Sequence, residues 1–172
     1  RRSGLPEAFV AWVEDDCIFA NSLVDRIVST ALEPAGAVAE PYALWAIERQ
    51  DGLVVPWTHP AVKLVDDLKV TERLKLFLLN LAHTCMSDRW RAEGRRADET
   101  VRELVADPEI RAWLDALYDE ELLPVFAAAG IAEAPEYRRS VIDRFRNPFL
   151  DHRLSDIVMN HADKKERRVG GF

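Results

Sequence analysis

Apolar positions follow a helical period over most of the chain from Thr71 onward, and a shorter, strand-like alternation between residues 43 and 65. Leu5-Pro6-Glu7 opens a first helix, because Pro suits a first turn and Glu favours the positive helix N-terminus. Phe9, Val10, Trp12 and Val13 give that helix an apolar face, and Asp15-Asp16 end it. Residues 19–28 are apolar but punctuated, and 31–41, with Pro34, Gly36 and Pro41, read as loop. Residues 43–48 and 54–57 read as short strands flanking the Gln50-Asp51-Gly52 turn, a hairpin that 62–65 extends. Thr71 caps a central helix that runs to about residue 91 and ends before Gly94. Further helices follow at 98–105, 109–128 with a kink at Pro124, 135–146 and 148–159. Asp107-Pro108 and Asn147-Pro148 separate them, and the tail 164–172, charged and then Gly-rich, frays. The fold class is mainly α with a small β-hairpin element.

Within the central helix, Lys75-Leu76-Phe77-Leu78-Leu79-Asn80-Leu81-Ala82-His83 is apolar almost all the way round, as a buried helix is. At about 100° per residue, Asn80 lies roughly 140° and His83 roughly 80° round from Lys75. The three polar groups therefore share one sector among Leu78, Leu79 and Ala82. An ammonium among hydrocarbon must be paired or give up its proton, and desolvation is how a Lys becomes a base near neutral pH. The plainer alternative is a core helix whose Lys75 snorkels to the surface.

Composition narrows the classes. The 172 residues suffice for one domain with a core, including Trp12, Phe77, Leu78, Leu81, Trp113, Leu117 and Phe145. The net charge of −7 argues against nucleic acid, and no run approaches a membrane span. Cys17 and Cys85 lack metal-type spacing; Cys85 reads as a core thiol, and the pair suggests a reducing, cytoplasmic compartment. The start Arg1-Arg2-Ser3-Gly4, without Met or a signal pattern, looks like part of something longer.

Other chemistry is thinner. Asp25-Arg26, in an apolar run, is either a buried ion pair or turn, or a lining of a cleft. Arg144-Phe145-Arg146-Asn147-Pro148 puts two guanidiniums near a helix junction, as a solvated helix end or an anion site. His59, His152 and His161 read as bystanders. There is no H-E-x-x-H, no Cys–His metal pattern, no G-x-S-x-G and no G-x-G-x-x-G.

Three segments occur in order: Ser22-Leu23-Val24-Asp25-Arg26-Ile27-Val28, then Lys75, Asn80 and His83 at K-x4-N-x2-H spacing, then Arg144 to Pro148. That series resembles the C-terminal domain of the polyol-specific long-chain dehydrogenases, the mannitol dehydrogenase family. Leu5 to Phe9, Leu23 to Val28 and Arg144 to Pro148 look most like its tagaturonate reductase (altronate oxidoreductase) branch. The likeness covers nearly the whole chain and is weak between residues 29 and 60.

The resemblance implies a multi-helical domain like the C-terminal domain of 6-phosphogluconate dehydrogenase. An N-terminal Rossmann domain outside these residues would hold NAD, with no metal and no cofactor-binding residue in this chain. By position, Lys75 matches the general acid/base and Asn80 an oxyanion-type donor. His83 matches a substrate-hydroxyl contact, Asp25 with Val24 a pair lining the site, and Arg144 a substrate-contacting Arg. Of Arg144 and Arg146, one could meet a substrate carboxylate. The implied reaction interconverts a keto sugar acid and its hydroxy acid, tagaturonate/altronate or fructuronate/mannonate, with a mannitol or other polyol 2-dehydrogenase as the alternative. These residues alone would be inactive. A helical interaction module that kept the fold but not the activity stays open.

Overall fold

A computed structural model describes residues 4–172. The chain forms two compact units. One takes the segment ending at Val24 together with Leu44–Leu68, the other Asp25–Ala43 together with Lys69–Phe172.

Five strands occur among the described residues: β1 (Ser22–Asp25), β2 (Val28–Leu32), β3 (Gly36–Ala39), β4 (Leu44–Glu48) and β5 (Val62–Val65). The first unit holds helix α1 (Glu7–Asp15) and a three-stranded sheet of order β1-β4-β5. β4 and β5 are parallel, with Trp45 opposite Val62 and Glu48 opposite Val65. The hairpin expected over 43–57 is therefore not formed. Residues 53–59 make no strand, and Trp57 instead stacks on Trp45 with ring centroids 5.9 Å apart. α1 buries none of its residues: Trp12 is 53% exposed and pairs with Phe9, so it is not a core residue.

The second unit opens with β2 and β3, an antiparallel hairpin with a register shift between Val28 and Thr30. Residues 31–41 are thus largely strand rather than loop. The central helix is one continuous run in three parts: α2 (Lys69–Arg73), a π-helical segment (Leu74–Asn80) and α3 (Leu81–Ala92). It begins before Thr71, the expected cap. α4 (Val101–Ala106) starts with a capping box between Thr100 and Glu103, each side chain bonding the other's backbone N–H. α5 (Pro108–Ala116) is capped by Asp107 and runs into a second π-segment (Leu117–Leu122) and α6 (Leu123–Ala128). The expected kink at Pro124 takes this form. A Pro ring collides with the carbonyl four residues back in a regular helix, and the wider π-turn makes room for it.

α7 (Ala134–Phe145) follows. The helix expected over 148–159 shrinks to α8 (Leu154–Ile157). The chain before α8 is pinned to the start of α4, with Val101 N–H donating to His152 O and Leu154 N–H to Glu99 O. The tail does not fray from residue 164. It forms α9 (His161–Arg168), and Phe172 packs its ring against Phe77 at 5.2 Å. The core lies between these helices, where Leu78, Ala82, Met86, Leu104, Leu114, Tyr118, Val141 and Leu154 have no exposed surface. No helix of the described residues is long and apolar enough to cross a membrane.

Candidate active site

Lys75 and Asn80 occupy the two ends of the first π-segment, and His83 lies in the first turn of α3. The turn closes on the fifth residue rather than the fourth, as Leu81 N–H donating to Leu76 O shows. That changes the angular spacing. A wider turn carries residue 80 less far round the axis from residue 75 than an α-helix would, so Asn80 comes closer to the face of Lys75. Nothing in the nine residues signals the wider turn. Its anchor is distant: Tyr118, in the second π-segment, donates its hydroxyl to Leu78 O at 2.6 Å.

Lys75 and Asn80 are half-buried and His83 is buried. The Asn80 carbonyl accepts from Thr84 Oγ1 at 3.0 Å and from Arg168 Nη1 at 3.2 Å, which fixes the backbone at the end of the π-segment. The His83 ring is held between Phe145, 4.7 Å away, and His152, whose ring stands edge-on at 5.0 Å. Burial first, and then His152, Arg168, Arg144 and Lys164, push the His83 pKa well below the ordinary imidazole value, so the ring is neutral at pH 7. Its Nε2 is buried with no hydrogen-bond partner among the described residues. His152 lies outside any helix. It lies before α8, fills the other side of the His83 ring, and has its own Nδ1 buried and unpartnered.

Asp25 and Arg144 meet, though 119 residues apart in the chain. Arg144 Nη2 and Nη1 donate to the two Asp25 oxygens at 2.8 and 3.1 Å. The same guanidinium donates to Glu40 from Nη2 at 2.7 Å and from Nε at 3.0 Å. All three groups are buried. Tyr137 donates its hydroxyl to Asp25 at 2.6 Å, and the Arg144 guanidinium lies over the Tyr42 ring at 4.1 Å. Burial alone disfavours the Arg144 charge, but the bonds to Asp25 and Glu40 outweigh it and hold its pKa above the usual value. The fork foreseen for a substrate is thus turned inward on two of the protein's own carboxylates. Arg146, the other foreseen candidate, is an exposed helix end. Asp25 does form a buried ion pair, but with Arg144 rather than with the adjacent Arg26. Val24, one residue earlier in β1, is 57% exposed.

Glu40, Tyr137, His152 and Arg168 carried no functional signal in the sequence. Glu40 lay in a stretch read as loop and Arg168 in one read as a frayed tail; a lone charge in either gives no hint of a partner a hundred residues away.

Three comparisons bear on this arrangement. The family model described as mannitol dehydrogenase C-terminal domain matches residues 67–169. Altronate oxidoreductase of Bacillus subtilis is 34% identical over 95% of this chain and 37% of its own length. Mannitol dehydrogenase 2 of Saccharomyces cerevisiae is 31% identical over 95% of this chain and 35% of its own length. Among solved structures, mannitol 2-dehydrogenase of Pseudomonas fluorescens, in ternary complex with NAD and D-mannitol, superposes with a TM-score of 0.68 at 24% identity, over 88% of this chain and 33% of that one. A substrate-free D-sorbitol dehydrogenase superposes with a TM-score of 0.73 at 24% identity, over 92% of this chain and 35% of that one. The multi-helical fold is the one these structures carry. The chain spans about a third of the length of the relatives it matches.

Proposed function

This chain belongs to the mannitol dehydrogenase family, through its C-terminal domain, and we propose that it is the substrate-binding, proton-transferring part of an NAD-dependent oxidoreductase acting on a sugar acid. The observation that carries the reading is the π-segment, which puts a Lys and an Asn one turn apart beside a buried neutral imidazole. π-turns inside α-helices occur often at functional sites. The altronate oxidoreductases among its relatives support a keto sugar acid and its hydroxy acid as the reacting pair, tagaturonate/altronate or fructuronate/mannonate.

The described residues do not fit a dinucleotide. β4 and β5 are parallel, but residues 49–61 join them without a helix, so this pair lacks the strand–helix–strand crossover of a dinucleotide fold. The cofactor falls to an N-terminal Rossmann domain outside these residues. What this chain supplies is the proton chemistry. In oxidation the Lys75 side chain takes the proton of the reacting hydroxyl; in reduction it returns it. The Asn80 amide donates a hydrogen bond to the oxygen as negative charge grows there. His83 Nε2 meets a neighbouring substrate hydroxyl, satisfying a nitrogen that the fold leaves unpartnered. Arg144 fixes the carboxylate of Asp25, the residue assigned to line the site.

The relatives named mannitol dehydrogenase favour a second reading, a polyol 2-dehydrogenase. Comparing kcat/KM of the full-length protein for tagaturonate, fructuronate and fructose separates the two: a clear preference for fructose refutes the sugar-acid reading. No turnover with any of the three would leave a helical interaction module.

A further inference from the structure

With Arg144 committed to Asp25 and Glu40, the cation for a substrate carboxylate must come from elsewhere. α9 carries Lys164 and Arg168 four residues apart, hence on one helix face. Both are half-buried, and among the described residues both bond only neutral oxygens. Lys164 Nζ donates to Ile157 O at 2.7 Å, and Arg168 Nη1 to Asn80 O at 3.2 Å and Thr84 Oγ1 at 3.1 Å. Among the described residues no carboxylate lies within ion-pair distance of either. Asp88, the acid on the neighbouring turn of α3, is taken by His161 at 2.8 Å and Lys165 at 3.0 Å.

We propose that Arg168, supported by Lys164, is the subsite for the carboxylate of a sugar-acid substrate. The argument rests on the sugar-acid reading above and sharpens it. Two half-buried cations with neutral partners are an unbalanced charge, and an anionic ligand balances it. The location fits. Arg168 grips the Asn80 carbonyl and the Thr84 hydroxyl, on either side of His83 in the chain. His83, the residue before Thr84, has a buried Nε2 without a partner, and the His152 ring packed on it has the same at Nδ1. An acid with adjacent hydroxyls can satisfy cation and imidazole together. Nη1 is spent on holding the helix, while the rest of the Arg168 fork has no partner among the described residues.

The test compares Arg168→Met with wild type in the full-length enzyme, with Arg167→Met as a control for loss of an exposed charge on the same helix. The expected result is a fall of at least tenfold in the ratio of kcat/KM for tagaturonate over fructose, mainly through KM, with the ratio for Arg167→Met within about twofold of wild type. In parallel, D-altronate is titrated calorimetrically onto the NADH-saturated enzyme; binding should be seen in wild type and weakened at least tenfold in Arg168→Met. If melting shows that Arg168→Met is unfolded, Lys164→Met is judged by the same ratios, with a threshold of about threefold. An unchanged ratio overturns the subsite and leaves the sugar-acid reading standing. Failure of wild type to bind altronate overturns the subsite too. A wild type that prefers fructose, yet binds altronate through Arg168, overturns the functional reading and not the subsite.

Discussion

Tyr118 donates its hydroxyl to the main-chain carbonyl of Leu78 at 2.6 Å, across 40 residues of sequence, and so ties one π-segment to the other. Both partners are wholly buried. The bond meets a carbonyl inside the segment that carries Lys75 and Asn80, so the shape of the candidate site depends on a side chain that lies in another helix.

Tyr118→Phe should destabilise the protein by about 1–3 kcal/mol, the cost of leaving a buried carbonyl without its donor. Urea unfolding with an unchanged m-value measures it. The same variant should lower kcat more than it raises KM, because the carbonyl belongs to the Lys75 turn; a stability loss with unaltered kinetics would uncouple the two.

Lys75→Ala in the full-length enzyme should lower kcat by a factor on the order of 10² to 10⁴, as expected for losing a general acid/base. Added primary amine should restore part of the rate. Turnover within a few-fold of wild type would remove Lys75 from the proton step.

Arg144→Met should cost about 3–5 kcal/mol, since it strands Asp25 and Glu40 as adjacent buried carboxylates. Arg144→Lys should recover little of this, as an ammonium cannot reproduce the fork that meets both acids. Denaturant midpoints of the two variants decide it; a near-wild-type Arg144→Lys would mean that the charge matters and the fork does not.

Stability should fall as the medium is acidified below neutrality. His83 and His152 both have pKa values below the ordinary imidazole value in the folded state, chiefly through burial. Below about pH 6.5 the unfolded chain binds protons that the folded one refuses. The stabilisation present above that pH is lost as pH drops toward the folded-state values. Unfolding free energies between pH 7.5 and 5 should show this slope, and it should be shallower in His83→Phe. An identical slope in that variant would trace the acid sensitivity to other groups.

The central helix was legible in the sequence because its signal is local: an apolar run long enough to exclude a strand, with Lys75, Asn80 and His83 set into it. α1 and α7 were legible for the same reason. The β elements were not. Gln50-Asp51-Gly52 looks like a hairpin turn, yet β4 pairs with β5 beyond it, and a parallel partner leaves no mark in the intervening residues. Pro34 and Gly36 read as loop punctuation, although Pro34 lies in the short turn between β2 and β3 and Gly36 opens β3. The first π-segment was invisible because its anchor, Tyr118, is remote. Asp25 and Arg144 were picked out singly, but Glu40, which joins them, was not, since ion partners a hundred residues apart share no pattern.

That separation also sets an order of assembly. The helices from α2 to α7 gain mostly from neighbours close in sequence and can condense early. Asp25 and Glu40 sit 119 and 104 residues before their guanidinium, so the β2–β3 ribbon between them must wait for α7 before its two acids can leave water. During synthesis the ribbon emerges long before Arg144 does. Until then it is an acidic flap with no place to dock, and it cannot close before the helix that carries its counter-ion has been made.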